Sequence, residues 1–160
     1  MYRIQTASFD EGVLQAELRR RAGAAAGAIV TFTGYVRDFA PEQATRTLFL
    51  EHYPGMCERV LDSLGRAASQ RWQLAGWTIV HRVGELPRDA PIVFVGAAAG
   101  HRGQAFRACE FMIDTLKTQA PFWKREQLVD GRDFWVRQAA ADAERTAQWL
   151  DQPSPSSSLS

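Results

Sequence analysis

The stretch that decides the fold is Pro91–Leu128, PIVFVGAAAGHRGQAFRACEFMIDTLKTQAPFWKREQL. Its opening, Pro91-Ile92-Val93-Phe94-Val95-Gly96-Ala97, is rich in β-branched and aromatic residues and predicts a strand. From His101 to about Gln119, the residues Ala105, Phe106, Cys109, Met112, Ile113 and Leu116 recur at i, i+3, i+4 spacing, which predicts an amphipathic helix. Pro121 disfavours helical geometry at Ala120 and ends the helix there. Phe122 to Leu128 then reads as a strand, paired across Asp130-Gly131 with Phe134 to Arg137.

Upstream, Tyr2 to Thr6 predicts a short strand, and Asp10 is placed to N-cap a helix running to about Arg20. Ala28 to Arg37 and Arg46 to Tyr53 read as strands, with a mobile loop between them at Asp38 to Thr45. A helix follows from about Gly55 to Arg71, carrying Met56, Val60, Leu61, Leu64 and Ala68 on one side. Trp77 to Val83 is another strand, and Gly84 to Ala90 turns from it into the strand at Pro91. Ala139 to Leu150 is helix-prone, and the Ser/Pro-rich end from Pro153 to Ser158 has the composition of a disordered tail. This order predicts an α+β fold with helices on one face of a largely antiparallel sheet.

The chain has 160 residues, 46% hydrophobic and 23% charged, with a formal net charge of +1. That size suits one domain with at most a small subdomain. Near-neutral charge argues against a general nucleic-acid binder. No apolar run approaches the ~18–20 residues that span a bilayer, and the N-terminal residues lack a signal-peptide core. A cytoplasmic protein is therefore expected. Cys57 and Cys109 lie far apart, with no metal-ligand spacing around them, and both read as packing residues.

Of the 19 basic residues, 17 are arginine, and the two lysines, Lys117 and Lys124, stand seven residues apart. Lys117 falls in the last turn of the long helix; Lys124 follows the Pro121 break, flanked by Trp123. A primary amine against apolar surface loses part of its affinity for a proton, and serves as base, nucleophile or anion clamp according to its charge. At the other end of the helix, Gly100-His101-Arg102-Gly103 offers free backbone N–H groups, an imidazole and a guanidinium, the makings of a phosphate site. Arg37 at a strand end is a third candidate, since a forked guanidinium suits phosphate. His52, His81 and Arg82 are weaker candidates, because a strand histidine is more often a packing residue. On these residues alone, two further readings stay open: a non-catalytic module whose lysines dock a partner's tail or an anionic metabolite, or a Schiff-base lysine enzyme acting on a phosphorylated carbonyl compound.

Taken in order, Gly34-Tyr35-Val36-Arg37-Asp38, Glu51-His52-Tyr53-Pro54-Gly55-Met56, His81-Arg82-Val83-Gly84, His101-Arg102 and Lys117-Thr118-Gln119-Ala120-Pro121-Phe122-Trp123-Lys124 resemble the large, catalytic subunit of molybdopterin synthase. The resemblance runs to about Val136. It implies an α/β hammerhead with a small extra β subdomain. It also implies a sulfurtransferase of molybdenum cofactor biosynthesis that converts cyclic pyranopterin monophosphate to molybdopterin. The sulfur would arrive as a thiocarboxylate on the C-terminal tail of a small ubiquitin-like sulfur-carrier subunit, and two large subunits would form a homodimer core within a heterotetramer. No metal or cofactor of its own is expected for the large subunit.

Carried over by the same match, Lys117 and Lys124 are the catalytic residues. Tyr35, Val36, Arg37, His101, Arg102, Lys117, Lys124, Arg125 and Glu126 bind substrate. The expected division is a catalytic domain over residues 1–138, a helical extension over 139–150 and a disordered tail over 151–160. The loop from Phe39 to Thr45 departs from the Asn/Gly-rich pattern of the family, and the extension reads as a surface appendage.

Overall fold

The computed structural model describes residues 1–37, 45–136 and 140–150. The elements are β1 (Tyr2–Gln5), α1 (Glu11–Ala22), β2 (Ala28–Tyr35), β3 (Thr45–His52), α2 (Met56–Trp72), β4 (Gly76–Arg82), β5 (Gly84–Pro87), β6 (Pro91–Ala99), α3 (Arg102–Gln119), β7 (Phe122–Leu128), β8 (Asp133–Val136) and α4 (Ala140–Ala147). They form two four-stranded sheets, ordered β1-β4-β6-β2 and β5-β3-β7-β8. Among the described residues, the β1–β4 pairing is parallel and the others are antiparallel. The α+β class and the extra β subdomain are therefore both present. The expected loop over 38–45 and the tail over 151–160 lie outside the described residues, apart from Thr45, whose backbone opens β3.

Two details differ from the sequence expectation. Helices cover both faces of the first sheet. Ile79, Val93, Val95 and Ala97 pack under α2 and α3, while Val80 and Phe94 meet Leu14 of α1, and Ala98 meets Leu18 and Ala22. The central strands β4 and β6 are consequently buried on both sides, and strand alternation sends successive side chains to opposite helices. The second difference is at Gly84–Ala90, expected to be only a turn. It contains β5, which pairs with β3 in the second sheet. Gly84 sits at φ 85°, a backbone conformation open to glycine at little cost, and there the chain leaves the first sheet for the second.

Local signals account for the helix ends. The Asp10 side chain accepts a hydrogen bond from Val13 N–H at 2.9 Å, capping α1 as its sequence implied. Helix α3 stops at Ala120, whose extended ψ of 126° is what the following proline demands. The apolar stripes are right in phase and wrong at their margins. Met56 and Phe106 are exposed, whereas Cys57 is fully buried and Trp72 nearly so. Helical periodicity locates the centre of a buried stripe but leaves its edge to tertiary packing. Helix α2 lies close on β4: a Cβ on Gly65 would fall 2.4 Å from the Trp77 ring.

Candidate active site

Strand β7 positions Lys124. Its register sets Lys124 opposite Leu50, Glu126 opposite Leu48 and Arg125 opposite Phe49. Directly opposed residues share a face, so Lys124 and Glu126 lie on the inner face with Leu48 and Leu50. Arg125 takes the outer face, where its guanidinium stands 5.1 Å from the Phe49 ring centroid and pairs with Asp133 at 3.4 Å. The chain turns at Pro121 from the end of α3 straight into β7, and this brings Lys117 and Lys124 to the same end of the molecule.

Their environments differ. Lys117 is about half exposed and forms an ion pair with Asp142 of α4 at 3.9 Å. Lys124 is half-buried. Its ammonium is lowered below the ordinary lysine value, first by desolvation and then by the Lys117 charge. Asp142 opposes that shift, and Arg37 adds to it. Lys117, Lys124, Arg37 and Asp142 are thus one electrostatic cluster of three cations and one anion.

A wall beside Lys124 is aromatic. His81 stacks on Phe122 with ring centroids 3.9 Å apart and an interplanar angle of 9°. The His81 ring is buried, and its Nδ1 lies 2.7 Å from the Arg82 carbonyl oxygen, which makes Nδ1–H the donor in the neutral ring. Burial holds this imidazole down to about 4. Arg82 donates to the Thr6 and Pro91 carbonyls, a structural tie between strands.

Next to Lys117 opens a cleft of about 460 Å³ between β2, α3 and α4, lined by Val30, Thr31, Phe32, Phe106, Cys109, Glu110, Ile113, Asp114, Lys117, Asp142 and Arg145. It explains why Phe106 stays exposed. Lys124 lies outside its lining, so cleft and lysine cluster meet at Lys117. Neither thiol ionises readily, although Cys109 touches the cleft. Burial pushes the Cys109 thiol up to about 12, and burial also raises Cys57, whose Sγ donates to the Pro121 carbonyl at 3.4 Å. Both cysteines are packing residues. Among the described residues, no group of three or more His, Cys, Asp or Glu side chains is placed to hold a metal, and no helix is long and apolar enough to cross a membrane.

The other expected site residues are not all gathered here. Val36 is 1% exposed and packs in the core of the second sheet with Leu48, Leu50, Leu86 and Ala90. Glu126 is wholly buried beneath the same sheet. Tyr35 is exposed, and its hydroxyl bonds the Glu11 carboxylate. His101 is the N-cap of α3 and Arg102 its first residue, both exposed. Fifteen helical residues at 1.5 Å rise put Arg102 about 22 Å from Lys117 along the axis. Within one chain, therefore, the phosphate candidates at the start of α3 and the lysines at its end are separate.

Sequence reasoning missed Asp142. Its only local signal was an acidic residue in the first turn of a helix-prone segment, which is commonplace.

A family model described as MoaE protein matches residues 4–119. The molybdopterin synthase catalytic subunit of Pseudomonas aeruginosa is 46% identical over 148 residues, covering 92% of this chain and 97% of that protein. The solved molybdopterin biosynthesis MoaE protein of Burkholderia ambifaria superposes with a TM-score of 0.79 at 43% identity, over 94% of this chain and 98% of the other. The fold recurs, at 17% identity and a TM-score of 0.71, in a Helicobacter pylori chain solved as a complex of subunits 1 and 2 of molybdopterin-converting factor, over 86% of this chain and 90% of that one. On the extent of the match and of the shared sequence, the chain belongs to the MoaE protein family.

Proposed function

We propose that this chain works as the catalytic subunit of a molybdopterin synthase, converting cyclic pyranopterin monophosphate to molybdopterin with sulfur delivered as a thiocarboxylate by a small partner subunit. The observation that carries the mechanism is the pairing of a half-buried amine with a more exposed one at the end of α3, beside Arg37 and without a reactive thiol. A site whose sulfur comes from outside needs cations for a thiocarboxylate and a phosphate, and needs no nucleophilic cysteine. The Helicobacter pylori relative, solved with its second subunit, supports a small partner for this fold.

In this reading Lys117 orients the incoming thiocarboxylate while its sulfur bonds the pterin side chain, and then stabilises the oxyanion formed when water adds to the resulting thioester, whose collapse leaves the sulfur on the pterin and releases the partner's tail as a carboxylate. Lys124, with its affinity for a proton reduced by burial, exchanges a proton with the pterin side chain. Arg37 holds the phosphate. His101 and Arg102 serve the same substrate only if a second copy of the chain contributes them, since their own Lys117 is a helix length away. A homodimer core is part of the proposal for that reason.

Reconstitution with a thiocarboxylated partner and the cyclic monophosphate tests the reading. Lys117→Ala should lower dithiolene formation by about 10²–10³-fold, the usual cost of one oriented charge at a developing anion. Near-full product formation by that variant would remove Lys117 from the chemistry.

A further inference from the structure

Helix α4 lies beyond the 4–119 span of the family match, yet it is clamped onto the end of α3 that carries Lys117. Asp114 of α3, 5% exposed, is the centre of the clamp. Its carboxylate accepts from Arg145 Nε at 3.0 Å and from Trp149 Nε1 at 3.0 Å. Arg145 also reaches Glu110 at 3.0 Å. One turn on, the Thr118 and Thr146 hydroxyls are 2.9 Å apart, and Thr146 Oγ1 donates to the Asp114 carbonyl at 2.9 Å. These contacts fix the last turn of α4, and Thr146 Oγ1, 3.0 Å from the Asp142 carbonyl, ties that turn to the first, where Asp142 stands 3.9 Å from the Lys117 ammonium.

We propose that α4 is a working part of this site, with Asp142 the positioning residue that holds the Lys117 ammonium at the cleft and supplies the counter-charge among Lys117, Lys124 and Arg37. This rests on the lysine reading above. Three cations gathered without an anion repel one another, and the half-buried one suffers most. Asp142 is the acidic group acting on Lys124. The other charges bearing on that neighbourhood are Lys117 from α3 and Arg37 from the end of β2, and Lys124 in turn acts on the buried His81 of β4. Around Lys117 the cleft also presents Glu110 and Asp114, but Arg145 engages both. Glu126 shares the inner face of β7 with Lys124 and is fully buried, whereas Asp142 both pairs with Lys117 and draws the Lys124 ammonium back up.

The chain has only two lysines, so selectively [13C]lysine-labelled protein gives two resolvable side-chain titrations. In Asp142→Asn the Lys124 midpoint should move down by about 0.5–1 pH unit, the scale of losing one opposite charge at a partly solvated site. Asp142→Glu should restore it, and the alkaline limb of the product-formation profile should follow the same order. Circular dichroism matching wild type would confirm that Asp142→Asn folds. Thr146→Val, which removes the hydroxyl tie from α4 to the Asp114 and Asp142 carbonyls and changes no charge, should displace the Lys124 midpoint in the same direction.

An unmoved Lys124 midpoint in Asp142→Asn overturns the inference, whatever the activity. A moved midpoint with unchanged turnover upholds the counter-charge and overturns the catalytic reading of the lysines.

Discussion

His81 shows how one residue near the site links packing to pH. In the unfolded chain its imidazole takes a proton near the ordinary value of 6.5, but in the fold burial delays this to about 4. Between those values the unfolded state binds more protons, so stability is complete above 6.5 and is lost as pH falls through 4. His81→Gln retains a donor for the Arg82 carbonyl and removes the titration. Urea unfolding at pH 7 and pH 4.5 should therefore show wild type losing about 2 kcal/mol more than this variant. Equal losses would mean that His81 is hydrated in the fold. The same stacked ring keeps Phe122 in place at the start of β7, two residues before Lys124. Arg37 is a separate matter of affinity: Arg37→Ala should weaken binding of the cyclic monophosphate, as calorimetry would show, and unchanged binding would remove it from the phosphate site.

Among the elements, α4 departs furthest from its expected role as a surface appendage. Eight residues are too few for an isolated helix to be stable in water, so its order comes from docking. Trp149 does most of that docking. It is 5% exposed, meets the Trp72 and Phe111 rings at 5.8 Å in edge-to-face geometry, and accepts from Arg71 at its carbonyl. Trp149→Ala should cost about 3 kcal/mol and leave Asp114 short of a donor. Hydrogen exchange should then show the amides of α4 losing protection while those of α3 keep theirs. Unaltered protection in α4 would mean that Arg145 and Thr146 suffice to hold it.

For the whole molecule, the decisive fact is the length of α3, which separates Arg102 from Lys117 by about 22 Å. A site using both must draw on two protomers, and mixing experiments detect that. Lys117→Ala and Arg102→Ala homodimers should each be impaired. After subunit exchange the mixed dimers carry one doubly altered site and one intact site, so activity should recover to about a quarter of wild type. No recovery would place His101 and Arg102 outside the shared site. Much of this architecture was legible in advance. Strand and helix periods, the Asp10 cap and the Pro121 break are local events, decided by residues within a turn or two of one another. Strand β5 was not legible, because four residues that begin with a glycine and end with a proline carry no period, and they become a strand only by pairing with β3. The sequence by itself determined the class of fold, the two unusual lysines and the family to which their order belongs. Tertiary structure alone decided that Arg125 faces away from Lys124, that Val36 and Glu126 are buried, and that Asp142 stands over Lys117. These follow from sheet register and from docking across many residues, and neither leaves a trace in local spacing.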